Sequence, residues 1–335
     1  RGPVHLNFAF RKPLEPDPKI LQNVGDAISE PVPQKKAINT SIQLTTSLMK
    51  HLNEAKKPLI IVGPLAPHDD TESIKQLATQ LNSPILTEPT IATKYTISGF
   101  AGFLRNEDKR TQLDPDVILR FGFQPTSKSL EIALKEWNTD HHFHFASTEA
   151  WQDATFSGAE RIPWKGQKLH FENFSSDTDN NWLEQWEKAE QDFANYSEEI
   201  INQYTELTDG SIYHYVTPQI PDDHFIAVSN SFPARDINLF GKHSTETPLF
   251  LNRGASGIDG ITSTALGLSI ALQQPGVLFT GDLAFLHDTN ALLNQKKLIH
   301  PLVIVVINNS GGSIFRMLPI AQHDNYFKHY FETPQ

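Results

Sequence analysis

Two turns of this chain carry groups that could hold a metal ion and a diphosphate. The first is the acidic turn Gly281-Asp282-Leu283, and the second, at residues 308–312, reads Asn-Asn-Ser-Gly-Gly. Mg²⁺ prefers oxygen ligands and often keeps a substrate diphosphate in its shell. The Asp282 carboxylate, the Asn309 amide oxygen and the backbone carbonyl of Gly311 would supply the protein's share of such a site. The glycines let the backbone approach a ligand closely.

A strand, a helix and a second strand are predicted to position these turns. The apolar run 276–280 ends at the acidic turn, which is typical of a buried strand that delivers a carboxylate to the edge of a parallel sheet. Apolar residues at helical spacing predict a helix over residues 284–295, and His300-Pro301 breaks the chain before the strand 302–307. Parallel strands joined by one helix end at the same edge of a sheet, so Asp282 and the Asn pair are expected to face one ion.

Two earlier segments combine polar residues with glycines. Residues 229–236 read Ser-Asn-Ser-Phe-Pro-Ala-Arg-Asp, and residues 252–260 read Asn-Arg-Gly-Ala-Ser-Gly-Ile-Asp-Gly. The second segment precedes a helix predicted over residues 261–272, so its backbone N–H groups could face an anion or a cofactor ring. An ordinary glycine-rich turn is the alternative. The guanidinium forks of Arg235 and Arg253 suit bidentate binding of carboxylates, and a surface salt bridge is the alternative for each.

Three parts of the sequence resemble the thiamine-diphosphate-dependent enzymes in order and spacing: residues 229–236, residues 252–260 and the stretch from Gly281 to Gly312 that contains both turns. The cofactor motif of that family begins with Gly-Asp and ends with Asn-Asn; its third residue is usually Gly, whereas Leu283 stands here. Gly-Asp-Leu, the following Phe-Leu-His-Asp and the ending Asn-Asn-Ser-Gly-Gly-Ser-Ile-Phe-Arg-Met-Leu-Pro resemble one branch of the family. That branch comprises the 2-succinyl-5-enolpyruvyl-6-hydroxy-3-cyclohexene-1-carboxylate synthases of menaquinone biosynthesis. The segments 229–236 and 252–260 agree with it.

The resemblance implies a transferase that uses thiamine diphosphate and Mg²⁺ or Mn²⁺. Its reaction would decarboxylate 2-oxoglutarate and transfer the succinyl-carbanion equivalent to isochorismate. The cofactor would be the electron sink, while the protein orients it and excludes competing protonation. Two alternatives stay open. The chain could belong to another thiamine-diphosphate-dependent 2-oxoacid decarboxylase or an acetohydroxyacid synthase, or it could be an inactive fragment that acts only as an assembly module.

The resemblance also implies roles for individual residues. The implied cofactor-binding residues are Asn230, Gly254, Ala255, Ser256, Gly257, Ile258, Gly281, Asp282, Leu283, Asn309 and Gly311, of which Asp282, Asn309 and Gly311 would be the metal ligands. Among them, Ile258 resembles the bulky apolar residue that holds the cofactor in a bent conformation, and core packing is its plain alternative. The implied substrate-binding residues are Arg235, Arg253, Ile314, Phe315, Leu318, Lys128 and Ser231.

The resemblance implies different roles for three groups of these substrate residues. The two arginines resemble the residues that bind the carboxylates of isochorismate. Lys128 resembles a lysine that reaches the same substrate, although Ser129 stands where some members carry a second basic residue. A solvated lysine is the alternative there. The apolar residues that follow the second turn resemble a wall of the substrate pocket, with core packing as the alternative.

Composition limits the class of protein. With 335 residues, 39% of them hydrophobic and 20% charged, the chain is long enough for two folded domains. The net charge of −11 argues against nonspecific binding of nucleic acid. Without cysteine the chain forms neither disulfides nor cysteine zinc sites, and no apolar run reaches the roughly 18 residues needed to span a bilayer. These features predict a cytoplasmic enzyme that does not bind nucleic acid.

Alternating strand and helix patterns predict an α/β fold with two doubly wound, mostly parallel-sheet domains. In the first domain we expect helices over about 40–54, 70–81 and 129–137 and strands at 58–62, 84–86, 116–121 and 142–145. The predicted division is a terminal strand of a missing pyrimidine-binding domain at 1–10, a linker at 11–36, a central domain at 37–180, a bridging helix at 181–205 and a truncated diphosphate-binding domain at 206–335.

The resemblance also implies a homodimer or homotetramer with the active site at the subunit interface. In the family, the pyrimidine-binding domain supplies a glutamate that activates the cofactor. No residue here matches that glutamate, so we expect this chain alone to be inactive.

Overall fold

In its described part, the computed structural model contains two larger parallel sheets, which are flanked by helices, and a two-stranded parallel sheet. The described residues are 7, 41–66, 69–88, 91–146, 155, 157–172, 174–244, 247–253 and 256–333. The strand predicted at residues 1–10, apart from Asn7, and the linker predicted at 11–36 lie outside them. The elements considered below belong to one compact unit that begins at Thr40.

The described strands and helices follow one another in this order. The strands are β1 (Ile42–Gln43), β2 (Pro58–Val62), β3 (Ile85–Thr87), β4 (Thr96–Ile97), β5 (Val117–Phe121), β6 (His141–Ala146), β7 (Glu160–Pro163), β8 (Leu169–His170), β9 (Phe225–Val228), β10 (Leu249–Leu251), β11 (Gly276–Gly281) and β12 (Leu302–Ile307). The α-helices are α1 (Thr46–Glu54), α2 (Glu72–Leu81), α3 (Phe100–Phe103), α4 (Glu107–Gln112), α5 (Lys128–Glu136), α6 (Trp182–Gln203), α7 (Asp209–Val216), α8 (Phe232–Phe240), α9 (Ile261–Leu272), α10 (Asp282–His287) and α11 (Asp324–Tyr330). Short 3₁₀ helices cover Thr217–Gln219, Thr289–Lys297, Ser313–Met317 and Pro319–Gln322.

The first sheet is parallel, and its inner strands β2, β3 and β5 are buried along their whole length. Its described strands lie in the order β4-β3-β2-β5-β6-β7. Successive residues of a strand point to opposite faces. Ile60 and Val62 of β2 therefore pack in one apolar cluster, and Leu59 and Ile61 pack in another. Burial on both faces explains why this strand is a continuous apolar run rather than an alternating one.

The second sheet repeats this construction closer to the C-terminus. Its described strands lie in the parallel order β10-β9-β11-β12. Ile226 and Phe279 pack on one face, whereas Phe225 and Leu278 pack on the other. The α/β class with two doubly wound, mostly parallel sheets, predicted from alternating strand and helix patterns, is confirmed.

Helix α6 contacts the elements of both sheets. Trp182 and Trp186 are fully buried in a core cluster of the first sheet, and the indole N–H of Trp182 donates to the carbonyl oxygen of Pro58 at 2.7 Å. Further along the helix, Glu198 pairs with Lys242, which follows α8, at 2.8 Å. The helix thus begins in the core of the first sheet and reaches a helix beside the second. The domain boundaries drawn from the sequence stay predictions.

The prediction of one continuous α-helix over residues 284–295 is wrong. The structure has the short helix α10, then Asp288, and then a 3₁₀ helix that starts at Thr289. Asp288 has a φ of −133°, outside the helical range. Its carboxylate accepts hydrogen bonds from the backbone N–H of Ser263 at 2.6 Å and from the Ser263 hydroxyl at 3.0 Å. This contact with a distant residue fixes Asp288 in a conformation that ends the α-helix.

The first predicted helix also begins later than expected. Residues 40–54 were expected to be helical, but α1 starts at Thr46 because the hydroxyl of Thr45 accepts the backbone N–H of Leu48 at 3.2 Å. Such a side-chain bond satisfies an otherwise unpaired donor and marks the start of a helix. Before it, the two-residue strand β1 pairs with β8 in parallel.

Gly63 lies where two backbone segments approach closely at the end of β2. A Cβ atom at this position would lie 1.8 Å from the carbonyl oxygen of Phe123. We expect Gly63→Ala to lower the free energy of unfolding by about 1–3 kcal/mol, because the backbone must shift to admit the methyl group. In contrast, a Cβ at Gly267 in α9 would meet nothing within 4 Å, so Gly267→Ala should be neutral or stabilising by up to about 1 kcal/mol. Urea unfolding measures both variants, and equal losses of stability would contradict the steric argument.

Candidate functional site

Strained backbone gathers at the carboxyl edge of the second sheet. Ser231 follows β9, Ser256 follows β10 and Ser310 follows β12, and their φ angles are 72°, 59° and 68°. Positive φ is unfavourable for residues with a Cβ atom, and such strain clusters at ligand sites and active sites. In open parallel sheets, ligands bind outside the carboxyl ends of the strands. Backbone conformation and topology therefore indicate the same edge as the functional region.

Asp282 joins the turn after β11 to the turn after β12. One carboxylate oxygen accepts the backbone N–H of Gly311 at 2.8 Å, and the other accepts the N–H of Leu283 at 2.7 Å. The Asp282 residue is 8% exposed. The structure thus brings Asp282 and Gly311 together, as the sequence predicted. The contact uses the N–H of Gly311; the carbonyl oxygen of Gly311 as a metal ligand stays a prediction.

Asn309 lies in the same turn and has a partner from another element. Its side-chain Nδ2 donates to a carboxylate oxygen of Asp209 at 3.2 Å, and its backbone carbonyl accepts the hydroxyl of Ser313 at 2.8 Å. The neighbouring Asn308 instead accepts the backbone N–H of Ser310 at 3.0 Å. Its nitrogen is thus engaged by Asp209, and among the described residues the amide oxygen is available to a cation.

The turn after β12 fits a bound diphosphate and a hard cation. Gly311 and Gly312 have φ angles of 73° and 64°, and a Cβ at Gly312 would lie 2.6 Å from the carbonyl of Phe331. Carboxylate and amide oxygens are ligands that Mg²⁺ accepts. In the described part of the chain, no group of three or more His, Asp or Glu side chains could hold a metal. A cation at this edge would therefore need Asn309, a backbone carbonyl or the oxygens of a ligand in addition to Asp282.

Asn230 organises the glycine-rich segment after β10. Its side-chain nitrogen donates to the backbone carbonyls of Asn252 and Gly257, and its oxygen accepts an N–H of Arg253 at 3.3 Å. Asn230 is buried, whereas Gly257 is exposed. These bonds tie the start of the segment and its residue Gly257 to the end of β9. Its middle, with the predicted cofactor residues Gly254 and Ala255, lies outside the described residues.

The remaining predicted cofactor residues lie around this segment. Ser256 is exposed, and Ile258 is partly buried against an apolar cluster of the second sheet. Gly281 ends β11, and a Cβ there would meet nothing within 4 Å. Ile258 therefore has the core contacts of its plain alternative, and its role toward a cofactor stays a prediction.

The two arginines act on each other electrostatically. Arg235 donates from Nη1 to the backbone carbonyl of Ser231 at 2.7 Å. Partial burial, followed by the neighbouring Arg253 cation, lowers the pKa of the Arg235 guanidinium. Two cations held near each other are suited to an anion with more than one carboxylate. The structure thus gathers three of the predicted substrate residues, Ser231, Arg235 and Arg253.

Glu88 is a site residue that the sequence reasoning missed. It follows β3, is 2% exposed and accepts hydrogen bonds from the backbone N–H and the hydroxyl of Thr126, the latter at 2.8 Å. Burial raises the pKa of its carboxyl, while the bonds from Thr126 and the Arg253 cation oppose that shift. An acidic residue directly after a buried strand was the signal that identified Asp282, and the same signal was present in Thr87-Glu88.

A cavity of about 670 Å³ lies between the elements of the two sheets. Its lining includes Glu88 from the first sheet, Arg253 from the second and apolar side chains such as Ile91, Leu249 and Leu251. A cavity of this size with a few polar groups among apolar walls is typical of a site for a small molecule. Arg253 thus borders both the cavity and the turns described above.

Unlike the two arginines, Lys128 forms an ion pair with an acidic residue of its own helix. Its ammonium group pairs with Glu131 at 2.8 Å, and its side chain is 73% exposed. It is the first residue of α5, whose N-terminal cap is Ser127. The hydrogen bonds between Glu88 and Thr126 anchor the chain just before this helix. The contacts of the lysine fit the solvated alternative, and contact with a substrate stays a prediction.

The apolar residues after the second turn are largely accessible. Phe315 is 41% exposed and Leu318 is 46% exposed, while Ile314 is partly buried. The ring of Phe315 contacts the ring of Phe331 edge to face, with centroids 5.6 Å apart. Because the side chains of Phe315 and Leu318 are exposed, core packing does not explain them. Their accessible side chains are available to a ligand.

Asp236 gives the second sheet a pH-dependent stability. This residue of α8 is 8% exposed, and burial, followed by the Asp209 carboxylate, raises its pKa from 3.8 to about 7. The folded state therefore holds the proton more tightly than the unfolded state. The carboxyl favours folding below about pH 4, and this contribution is lost as the pH rises to about 7.

We expect Asp236→Asn to remove this pH dependence, because the amide is neutral throughout. Between about pH 5 and about pH 8 the free energy of unfolding of the wild type should fall by about 2–3 kcal/mol more than that of the variant. Urea unfolding at both pH values measures the difference. Parallel pH profiles for the two proteins would show that Asp236 is ionised across the whole range.

Comparison with known proteins finds related sequences for both parts of the chain. Residues 21–228 match a family described as the middle domain of thiamine pyrophosphate enzymes, and residues 241–335 match the thiamine pyrophosphate enzyme C-terminal TPP binding domain. Thiamine pyrophosphate is another name for thiamine diphosphate. No helix in the described part of the chain has the length and apolar character needed to cross a bilayer.

Curated relatives share one name. Proteins called 2-succinyl-5-enolpyruvyl-6-hydroxy-3-cyclohexene-1-carboxylate synthase are 36% identical to this chain in Microcystis aeruginosa, 33% in Haloarcula marismortui and 31% in Bacillus velezensis. The matches cover 100%, 99% and 99% of this chain. They cover 61%, 61% and 60% of the relatives, so the chain spans about three fifths of their length.

Proposed function

The chain belongs to the thiamine-diphosphate-dependent enzymes, and from this premise we propose that it serves menaquinone biosynthesis as a synthase. The proposed reaction decarboxylates 2-oxoglutarate and transfers the succinyl-carbanion equivalent to isochorismate. The observation that carries the proposal is the hydrogen bond of 2.8 Å between the Asp282 carboxylate and the N–H of Gly311. It brings together the two turns that begin and end the family's cofactor motif. The name shared by the curated relatives supports the choice of substrates.

In this proposal the carboxyl edge of the second sheet holds the cofactor. Asp282, Asn309 and the carbonyl of Gly311 would bind Mg²⁺ or Mn²⁺, and the metal would bind the diphosphate. Asn230 would fix the glycine-rich segment in contact with the cofactor through its bonds to Asn252 and Gly257. When bound, thiamine diphosphate supplies an electron sink for the decarboxylation of the 2-oxoacid.

The two arginines are proposed to bind the acceptor. Isochorismate carries two carboxylates, and guanidinium groups bind carboxylates through paired hydrogen bonds. Arg253 also borders the cavity of about 670 Å³, so it can hold a carboxylate between the two sheets. Ser231 and Lys128 complete the proposed polar contacts. Ile314, Phe315 and Leu318 would form an apolar wall that keeps water away from the reacting carbon, which limits competing protonation.

The proposal extends to the assembly and the location of the protein. In the family, the active site lies between subunits, so we propose a homodimer or homotetramer that acts in the cytoplasm. Size-exclusion chromatography with light scattering would test this part separately. A monomer that turns over substrate would contradict it.

The test of function is an assay of the full-length protein with thiamine diphosphate, Mg²⁺, 2-oxoglutarate and isochorismate. We expect the succinylated cyclohexene product, detected by mass spectrometry, and loss of turnover when a chelator removes the metal. If pyruvate alone serves as donor, or 2-oxobutyrate serves as acceptor in place of isochorismate, the protein is another decarboxylase or an acetohydroxyacid synthase. Failure to bind thiamine diphosphate and Mg²⁺ at all would favour an assembly module.

A further inference from the structure

Asp209 reaches the turn after β12 from a different helix. A carboxylate oxygen of Asp209, the first residue of α7, accepts the side-chain N–H of Asn309 at 3.2 Å. The two residues are 100 positions apart in the chain. Both are partly buried, so this bond is less exposed to competition from water than a surface pair. The contact joins the start of α7 to the turn that is proposed to hold the metal.

The donor and acceptor groups of the Asn309 amide determine which of its atoms can bond to Asp209. A carboxamide carries two donors on nitrogen and an acceptor on oxygen, and only the oxygen can coordinate a cation. An ionised carboxylate accepts hydrogen bonds and donates none. Asp209 therefore selects the orientation in which the Asn309 nitrogen faces α7, and the amide oxygen points away from it. Without Asp209, the amide could rotate or present its nitrogen to the cation.

The helix that carries Asp209 begins with a capping box. The hydroxyl of Thr208 accepts the backbone N–H of Ser211 at 3.2 Å, and the Ser211 hydroxyl accepts the N–H of Thr208 at 2.9 Å. These reciprocal bonds form a capping box that defines the first turn of α7. These bonds stabilise the start of α7 and do not involve the Asp209 carboxylate.

We propose that Asp209 is a positioning residue that orients the Asn309 amide oxygen toward the metal of the diphosphate site. This inference rests on the proposed function, because it takes Asn309 as a metal ligand. Side chains that hold metal ligands by hydrogen bonds fix the orientation of the ligand, and their loss typically lowers metal affinity by about 10- to 100-fold. Asp209 would act through Asn309 and would touch neither the cofactor nor a substrate.

A purely structural role for Asp209 has a separate signature. An acidic residue in the first turn of a helix also stabilises that helix through the helix dipole. A stability effect of this kind changes the unfolding of the protein without a specific effect on the metal. Thr208→Ala supplies the matched control, since it removes the capping box of the same helix and keeps the Asp209 carboxylate.

The experiment is equilibrium dialysis of thiamine diphosphate against the full-length protein over a series of Mg²⁺ concentrations. For Asp209→Ala we expect the half-saturating Mg²⁺ concentration to rise by about 10- to 100-fold, and for Thr208→Ala we expect no change. Asp209→Ser serves as a second variant, because serine keeps a small polar side chain at this position and is too short to reach Asn309. It should show the same rise as Asp209→Ala.

The outcomes separate this inference from the proposed function. If the wild type binds thiamine diphosphate without any dependence on Mg²⁺, the metal site of the proposed function is wrong. If the wild type requires Mg²⁺ and Asp209→Ala binds it as tightly, the positioning role is overturned while the metal site stands. Equal rises in Asp209→Ala and Thr208→Ala would also overturn it, because helix stability would then account for the effect.

Discussion

Asp282→Ala is expected to abolish Mg²⁺-dependent binding of thiamine diphosphate, with a loss of cofactor affinity greater than about 100-fold. Loss of a residue that only supports a metal ligand costs about 10- to 100-fold, and the ligand itself should cost more. The substitution also releases the backbone N–H of Gly311, which the carboxylate holds at 2.8 Å. The turn after β12 would then lose its link to β11. Dialysis of the cofactor with and without Mg²⁺ measures the loss.

Asp288→Ala is the matched control for this variant. Asp288 is also a buried carboxylate, 7% exposed, and it binds the backbone N–H of Ser263 at 2.6 Å. Its removal should lower stability, since a buried donor loses its partner. Cofactor affinity should remain that of the wild type. Equal losses of cofactor affinity in the two variants would mean that Asp282 acts only by stabilising the fold.

Some of the strands could be predicted because a continuous apolar run is visible in the sequence itself, whereas strands such as β9 and β10 were not predicted. The strands β2, β11 and β12 are short apolar runs bounded by turn residues, and they lie within one residue of their predicted bounds. The strands β2 and β11 are buried and need apolar residues on both faces, whereas β12 is an apolar edge strand in which Val303 is 55% exposed. The helix after β11 was wrong because its end depends on the bond between Asp288 and Ser263, which lie 25 positions apart. No local pattern contains that contact.

In the site, too, the contacts that follow from a local sequence pattern could be predicted, and those made by residues distant in sequence could not. The proximity of Asp282 and Gly311 follows from topology, since neighbouring parallel strands end at one edge. The contribution of Asp209 could not be predicted, because it depends on a bond to Asn309 from a helix far away in sequence. Glu88 could have been predicted only in part. Its position after a strand was visible, but its partner Thr126 comes from the loop after β5 of the same sheet, and the nearby Arg253 is brought to it by the packing of the second sheet.

Arg253→Ala should impair the use of isochorismate and leave the decarboxylation of 2-oxoglutarate largely intact. A hydrogen bond to a charged group contributes about 1.5–3 kcal/mol, so kcat/KM for isochorismate should fall by roughly 10- to 150-fold. Arg253 borders the cavity and contacts the Asn230 oxygen at 3.3 Å. Release of CO₂ in the absence of acceptor and transfer of the succinyl group in its presence can be measured separately.

Arg253→Lys separates charge from geometry at this position. Lysine keeps the positive charge beside Glu88 and Arg235, but it has no planar fork for a carboxylate. If the fork binds the acceptor, Arg253→Lys should restore only a small part of the transfer rate. If the charge alone matters, lysine should restore most of it. Unchanged transfer to isochorismate in Arg253→Ala would contradict the acceptor assignment itself, and the active site would then have to bind this substrate through other cations.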